Sequence, residues 1–347
     1  MNGRFLVAVA VAITLTAGCG GSPMGPTTPP APQPAPAPSP APSPSPRVIS
    51  GRIVDALSGN PQASLQVSVD GIGTGATNAS GEFNIEVPAS FADTTTIRFQ
   101  GPNIVLRTTR VKIPGAPVAL STMQSGFALA AFDEMFRHTG GSLTRWVEAP
   151  RLVVQRRVLQ FTSAEASSYT ATSEVMTDAQ ASELVSSLVA ALPALTGGRF
   201  TAFTNQISET ANPGDTVSVL RTGDVFVADF KDLATPSVVA YGRWSADSRY
   251  IVRGGIIMLD REFDISDPRR RTTRAHELGH ALGYNHVTTR VSVMNTPSMV
   301  DPTDWDRDAA KIAFQREPGN RSPDDDPVWF TSNPIAGGRI VWSPAVP

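Results

Sequence analysis

Hydrophobic positions along the chain follow two different periods, and the period changes near residue 123. Between residues 47 and 120, short runs alternate apolar and polar residues with a period of two, as half-buried β-strands do. The predicted strands are residues 49–54, 65–69, 83–87 and 96–99. Turn sequences such as Asp70-Gly71 separate these runs. The first folded region is therefore predicted to be a small all-β sandwich.

From residue 123 onward, strand patterns alternate with helix patterns. Further strands are predicted at residues 152–161, 200–207, 224–230, 238–244 and 255–259. Residues 181–195 place apolar side chains at helical spacing, after an N-cap at Thr177-Asp178 and before Gly197-Gly198. A second helix is predicted to begin at Asp267, the N-cap, with Pro268 at its first position. This order predicts an α/β (α+β) domain with one mixed, mostly parallel sheet.

The second predicted helix carries the pattern His276-Glu277-x-x-His280, followed by Gly283 and His286. Residues four apart share one helix face, so the imidazoles of His276 and His280 converge on one ion. Gly283 lets the chain leave the helix in a conformation that other residues resist, and the turn brings His286 in as a third ligand. Three neutral nitrogens leave a fourth tetrahedral position open, as a catalytic Zn²⁺ requires. Glu277 can reach a metal-bound water without binding the metal, and we predict that it is the catalytic general base.

This histidine pattern resembles that of the metzincin clan of zinc metallopeptidases, which also has a tight turn with a methionine beneath the metal. Ser292-Val293-Met294-Asn295 fits that turn, so the resemblance implies that Met294 forms the floor of the metal site. The resemblance covers residues 152–316, and the order of elements is most similar to that of the matrixins. It implies a zinc endopeptidase in which the three histidines hold the metal and Glu277 moves the proton.

The predicted mechanism places a protein or peptide substrate along a sheet edge. An extended peptide is expected to pair as an added strand with residues 255–258, and residues 297–300 are expected to wall the pocket for the side chain after the cut. A closing helix is expected after the methionine turn, with Asp304 as its cap. Its predicted inner face consists of Ala309, Ile312 and Ala313.

The sandwich region also carries a resemblance. Residues 50–55, 59–61 and 77–83 resemble the carboxypeptidase regulatory-like (transthyretin-like) sandwich. This implies an accessory role, as a spacer or docking module without a catalytic cluster. The predicted organisation is a signal at residues 1–18, a Pro-rich linker at 19–46, the sandwich at 47–120, the metallopeptidase at 123–318 and an irregular tail at 319–347.

The N-terminal residues have the pattern of a bacterial export signal. Residues 5–17 form an apolar run that is too short to span a bilayer as a helix but fits a secretory signal. The run ends in Leu15-Thr16-Ala17-Gly18-Cys19, which resembles a bacterial lipobox and implies lipidation of Cys19. An ordinary signal cleaved after Gly18 is the alternative. The proline-rich linker cannot form helix or sheet, so it would hold an exported, lipid-anchored protein away from the membrane of the cell envelope.

Changing Cys19 to serine is expected to move the protein from the membrane fraction to the soluble fraction, because Cys19 is the attachment point of the lipid. Cell fractionation followed by immunoblotting measures this. Continued retention of the Cys19→Ser protein in membranes would contradict the lipid anchor.

Composition narrows the remaining classes of function. The 347 residues include 29 basic and 31 acidic side chains, and a net charge of −2 gives no field directed at nucleic acid. Cys19 is the single cysteine, which excludes a disulfide framework, a thiolate metal cluster and a matrixin-type cysteine switch. The fourth histidine, His138, has no partner pattern and is predicted to lie on the surface.

Two other functions remain open at this point. One is a non-catalytic zinc-containing surface adhesion or binding lipoprotein in which Glu277 is idle, and the other is a structural lipoprotein of the cell envelope without zinc. The tail also has two interpretations. Its acidic run Asp324-Asp325-Asp326 is predicted to be a solvated loop, with a structural Ca²⁺ site as the alternative.

Overall fold

The computed structural model describes residues 47–137, 141–236, 238–297 and 300–328. The signal, Cys19, the Pro-rich linker, His138 and most of the C-terminal tail lie outside the described residues. Export, lipid anchoring and the surface position of His138 therefore stay predictions. No helix in the described part of the chain combines the length and the apolar character that crossing a membrane requires.

Seven strands form two facing sheets in the first region. They are β1 (Arg47–Asp55), β2 (Gln66–Val69), β3 (Gly73–Ala76), β4 (Glu82–Val87), β5 (Thr94–Gln100), β6 (Arg107–Lys112) and β7 (Val118–Thr122). One sheet has the order β4-β1-β7, and the other has the order β3-β2-β5-β6. Side chains from both sheets share one core, in which the rings of Phe83 and Phe99 meet edge to face at 5.5 Å.

The four strands predicted here from the period-two pattern are confirmed. Alternation buries Ile49 and Ile53 of β1 while their neighbours stay more exposed. Each such burial contributes about 1.5–3 kcal/mol. The pattern did not indicate β3, β6 or β7, whose runs are short or rich in Thr, Gly and Arg.

The second region is built on one mixed sheet of seven strands. Its elements are α1 (Leu129–Phe136), β8 (Arg151–Gln160), β9 (Ser168–Val175), α2 (Asp178–Leu195), β10 (Gln206–Glu209), β11 (Thr216–Ser218), β12 (Asp224–Lys231), β13 (Ala240–Ala246), β14 (Val252–Asp260), α3 (Arg261–Ser266), α4 (Arg270–Ala281) and α5 (Asp304–Ala313). The strand order is β11-β9-β8-β12-β14-β13, and β10 also pairs with β8. Three pairings are parallel and three are antiparallel, so the expectation of a mostly parallel sheet is wrong.

Helices α2 and α4 pack against each other and against this sheet. The α2 helix begins at a capping box in which Thr177 Oγ1 accepts from the Gln180 N–H at 3.2 Å, and Gln180 Oε1 accepts from the Thr177 N–H at 2.9 Å. Leu184, Leu188 and Leu192 recur every four residues and are fully buried. The helix predicted over residues 181–195 is thus confirmed, and it packs against α4.

The strand predicted at residues 200–207 is wrong for most of its length, because only the β10 segment is extended there. Thr196 Oγ1 accepts from the Phe200 N–H at 3.1 Å, which keeps the chain in a turn after α2. Phe200 and Phe203 enter the core from this turn, and their spacing of three residues does not suit a strand.

The predicted start of the histidine-bearing helix is also wrong, because the helix begins two residues later than expected. Asp267 ends α3 instead of capping α4, since its N–H donates to the Phe263 carbonyl at 2.9 Å. Its carboxylate accepts from the Arg269 N–H at 2.7 Å, and α4 begins at the next residue, Arg270. The short α3 could not be predicted because its six residues make fewer than two helical turns, too few for a periodic pattern to emerge.

The closing helix α5 begins one residue earlier than expected, because its cap is Thr303 rather than Asp304. Thr303 Oγ1 accepts from the Asp306 N–H at 3.2 Å, and Asp306 Oδ2 accepts from the Thr303 N–H at 2.7 Å. The predicted inner face is confirmed, because Ala309, Ile312 and Ala313 are all buried.

The acidic run in the tail is buried rather than solvated, so that expectation is wrong for Asp324 and Asp326. Asp324 Oδ1 accepts from Arg107 Nη1 at 2.6 Å and from Arg316 Nε at 2.8 Å, and its exposure is 0%. Asp326 Oδ2 accepts from Arg107 Nη2 at 2.6 Å. Asp325 pairs with Arg110 at 2.8 Å. Arginines therefore compensate the carboxylates that a calcium ion would need, which removes the basis for the calcium alternative.

Candidate metal centre

Three imidazole nitrogens converge at the C-terminal end of α4. His276 and His280 lie one turn apart on the same face of this helix. Their Nε2 atoms are 3.1 Å apart. His286 Nε2 lies 3.0 Å from His280 Nε2 and 3.3 Å from His276 Nε2. The three atoms form a nearly equilateral triangle.

The third histidine reaches this triangle through a sharp turn after the helix. Gly283 has φ +103°, in the region that favours glycine, and a Cβ there would lie 2.9 Å from Val252 Cγ2. The next residue, Tyr284, is fully buried, and its N–H donates to the Gly279 carbonyl at 3.0 Å. This reversal turns the chain back so that His286 faces the helix.

Backbone carbonyls fix which nitrogen of two rings carries hydrogen. His276 Nδ1 lies 2.7 Å from the Val293 carbonyl oxygen, and His280 Nδ1 lies 2.8 Å from the Tyr284 carbonyl oxygen. A carbonyl can only accept, so both Nδ1 atoms are donors and both neutral rings present an Nε2 lone pair to the centre. Two facing lone pairs 3.1 Å apart repel each other unless a cation lies between them.

The donor set fits a zinc ion. Tetrahedral Zn²⁺ with Zn–N distances of about 2.0–2.1 Å places its nitrogen ligands about 3.3–3.4 Å apart, close to the observed separations. Burial lowers the pKa of His276 to about 4, and burial also lowers the pKa of His286. These two rings are therefore neutral at physiological pH, as metal ligands must be.

Met294 packs against α4 between the two helical histidines. A Cβ at Gly279, between the two helical histidines, would come within 2.4 Å of Met294 Sδ. The turn that carries the methionine is held by Asp306 of α5, whose carboxylate accepts from Ser292 Oγ at 2.6 Å and from the Val293 N–H at 3.0 Å. The same turn supplies the carbonyl that orients His276.

Glu277 is buried beside the triangle with one oxygen unused. Its Oε2 has no hydrogen-bond partner among the described residues, and burial raises the pKa of the carboxyl to about 8. An unpartnered buried oxygen costs about 1–3 kcal/mol or more. Such a cost fits a site in which water at the open metal position becomes the missing partner.

The strand expected to receive the substrate is placed differently from the prediction. Residues 255–258 belong to β14, which pairs with β12 on one side and β13 on the other, so that expectation is wrong. The next strand, β13, ends the sheet on this side, and no strand in the described part of the chain pairs with its outer side. Of the predicted pocket wall, residues 298 and 299 lie outside the described residues.

Gly242 of β13 is a site residue that the sequence reasoning missed. A Cβ there would lie 2.5 Å from His280 Cβ and 2.8 Å from Glu277 Oε2, so the edge strand contacts α4 at the site itself. A glycine inside a strand is a known signal of close backbone approach and could have indicated this position. Asp306 carried no such signal, because an acidic residue in the first turn of a helix is ordinary.

No protein-family profile and no curated protein sequence matches this chain. Its function must therefore be inferred from the geometry of the histidine triangle and its surroundings.

Proposed function

We propose that this protein is a zinc-dependent endopeptidase of the metzincin type that hydrolyses peptide bonds in extended substrates. The observation that carries the proposal is the convergence of three imidazoles beside the buried Glu277, whose Oε2 has no hydrogen-bond partner among the described residues. A structural zinc site would use all four ligand positions, whereas this one provides three and leaves room for a reacting molecule.

A zinc ion held by His276, His280 and His286 would supply a Lewis acid that polarises the scissile carbonyl and lowers the pKa of water. Glu277 Oε2 takes the proton from the attacking water and then delivers it to the leaving amine nitrogen. The backbone carbonyls of Val293 and Tyr284 keep two of the ligands in the correct tautomer.

The edge strand β13 aligns the substrate in this proposal. No strand of the described residues pairs with its outer side, where an extended peptide can bond as an additional strand with affinity that does not depend strictly on sequence. Because Gly242 lets β13 contact α4 beside Glu277, a peptide bound there would place its backbone close to the base. We therefore propose β13, rather than β14, as the strand that receives the substrate.

The alternative is a zinc-containing binding protein without catalysis. Binding alone does not require Glu277, and a buried carboxylate with an unused oxygen would only lower stability there. This cost favours the enzyme. The second alternative is an envelope protein without zinc. It would leave the facing Nε2 lone pairs of His276 and His280 without a cation between them, and they would repel each other.

Zinc content tests the site. The purified protein is expected to hold one zinc per chain, and alanine at His276, His280 or His286 is expected to weaken zinc binding by more than the roughly 10–100-fold that loss of an outer partner costs. His138→Ala is the matched control, because it removes the one histidine outside the pattern. Stoichiometric zinc in a variant lacking all three ligands would contradict the assignment.

A further inference from the structure

The loop that carries His286 is held on both sides by α1, the helix that connects the sandwich to the mixed sheet. On one side, the Asn285 N–H donates to the Met135 carbonyl at 3.0 Å. The preceding residue, Tyr284, packs its ring edge to face against Phe136 at 4.6 Å. The α1 helix thus contacts the chain just before the third histidine.

On the other side of His286, a single carboxylate of α1 binds the loop through four hydrogen bonds. Glu134 Oε2 accepts from the Thr288 N–H at 2.8 Å, from the Thr289 N–H at 3.3 Å and from Thr289 Oγ1 at 3.1 Å. Glu134 Oε1 accepts from Thr288 Oγ1 at 3.2 Å. Burial opposes ionisation, but these donors outweigh it and lower the pKa of Glu134.

The third ligand needs such support more than the other two do. His276 and His280 are fixed by the backbone of one helix, whereas His286 lies on an irregular segment after Gly283. The flanking residues Thr288 and Thr289 are exposed, so core packing does not hold them in place. Val287, which lies between His286 and these two threonines, is buried, and its N–H donates to the Met294 carbonyl at 3.0 Å. The bonds to Glu134 hold the exposed residues that follow Val287.

We infer that Glu134 is a positioning residue for the third metal ligand. It acts through residues 288 and 289 to keep His286 Nε2 within the triangle. The metal site is therefore completed by a helix that precedes the first strand of the mixed sheet. This inference rests on the zinc site of the proposed function.

The test measures zinc affinity by competition with a chelator in the Glu134→Ala protein. Removing all four acceptor contacts is expected to weaken zinc binding by about 10–100-fold, as loss of an outer partner does. Glu134→Gln should lose less, because its amide oxygen can replace Oε2 while its NH₂ group donates to Thr288 Oγ1. This variant also keeps the test valid if alanine impairs folding.

Asp133→Ala is the matched control, because Asp133 is the neighbouring carboxylate on α1. It pairs with Arg137 at 2.6 Å and accepts from Ser322 Oγ at 2.8 Å, so among the described residues its bonds lie away from the loop that carries His286. Its loss is expected to lower the melting temperature but to leave zinc affinity within about twofold of wild type. Cobalt(II) substitution adds a spectroscopic readout, since the visible absorption of the bound ion reports its coordination and not the stability of the fold.

A double-mutant cycle with His286→Ala separates positioning from general stabilisation. Once the third ligand is absent, Glu134→Ala should cause no further loss of zinc affinity. Equal weakening in both backgrounds, or a Glu134→Ala protein that binds zinc as the Asp133→Ala control does, would overturn this inference alone. A wild-type protein that binds no zinc would overturn the proposed function, and this inference with it.

Discussion

Replacing Glu277 by glutamine is expected to lower the turnover of a peptide substrate by at least about 10²–10⁴-fold, the usual contribution of a general base. Glutamine keeps the size of the side chain but cannot take a proton from water. Zinc content should stay at one per chain, since the carboxylate is not among the converging ligand atoms. Steady-state kinetics together with metal analysis measures both quantities.

Glu183→Gln provides the matched control for this substitution. Glu183 lies on α2 and pairs with Arg270 of α4 at 2.9 Å, and its side chain is half-exposed. An exposed pair contributes only about 0–1 kcal/mol, so this variant should keep both turnover and stability. Wild-type turnover in the Glu277→Gln protein would show that the proposed mechanism is wrong, however well the histidines bound zinc.

Replacing Arg107 by leucine is expected to destabilise the protein by about 3–5 kcal/mol, as loss of one partner from a buried ion pair does. Arg107 of β6 is 1% exposed and bonds both Asp324 and Asp326. Arg316 still faces the first of these carboxylates in the variant, but Asp326 loses its guanidinium partner. Denaturant unfolding monitored by circular dichroism measures the change.

The control is Arg98→Leu, on the adjacent strand β5. Arg98 pairs with Asp70, and both side chains are more than 40% exposed, so the loss should stay below about 1 kcal/mol. Equal stability losses in the two variants would contradict the account of the buried network. Because Arg107 belongs to the sandwich and Asp324 to the C-terminal segment, a large loss would also show that the sandwich contributes to the stability of the whole.

The histidine site could be predicted because its determinants are local. Helical spacing places His276 and His280 together, and Gly283 permits the turn that follows, so eleven consecutive residues define the triangle. The N-cap predicted at Thr177-Asp178 is equally local, and in the structure Thr177 is the cap.

Features that depend on distant residues escaped the sequence reasoning. Glu134 contacts a loop 154 residues further along the chain, and Arg107 meets Asp324 at a separation of 217 residues. The acidic run looked like a solvated loop because its compensating arginines lie far away in sequence. A single sequence gives no signal for such pairings.

The order of strands in the sheet could not be predicted for a related reason. The apolar run at Ile256 and Ile257 suits a strand that is buried on both faces, which is its actual environment in β14. The edge strand β13 contains Gly242 and Arg243 and looks less strand-like, although it borders the site. Which strand lies at an edge follows from pairing across the sheet and not from the composition of the strand.

Titration of zinc into the metal-stripped protein, with cleavage of an extended peptide as the readout, tests the central claim most directly. Cleavage should be absent without metal, rise in proportion to added zinc and reach its maximum at one equivalent per chain. Cleavage that persists in the stripped protein, or no cleavage at any zinc concentration across a diverse peptide library, would contradict the account.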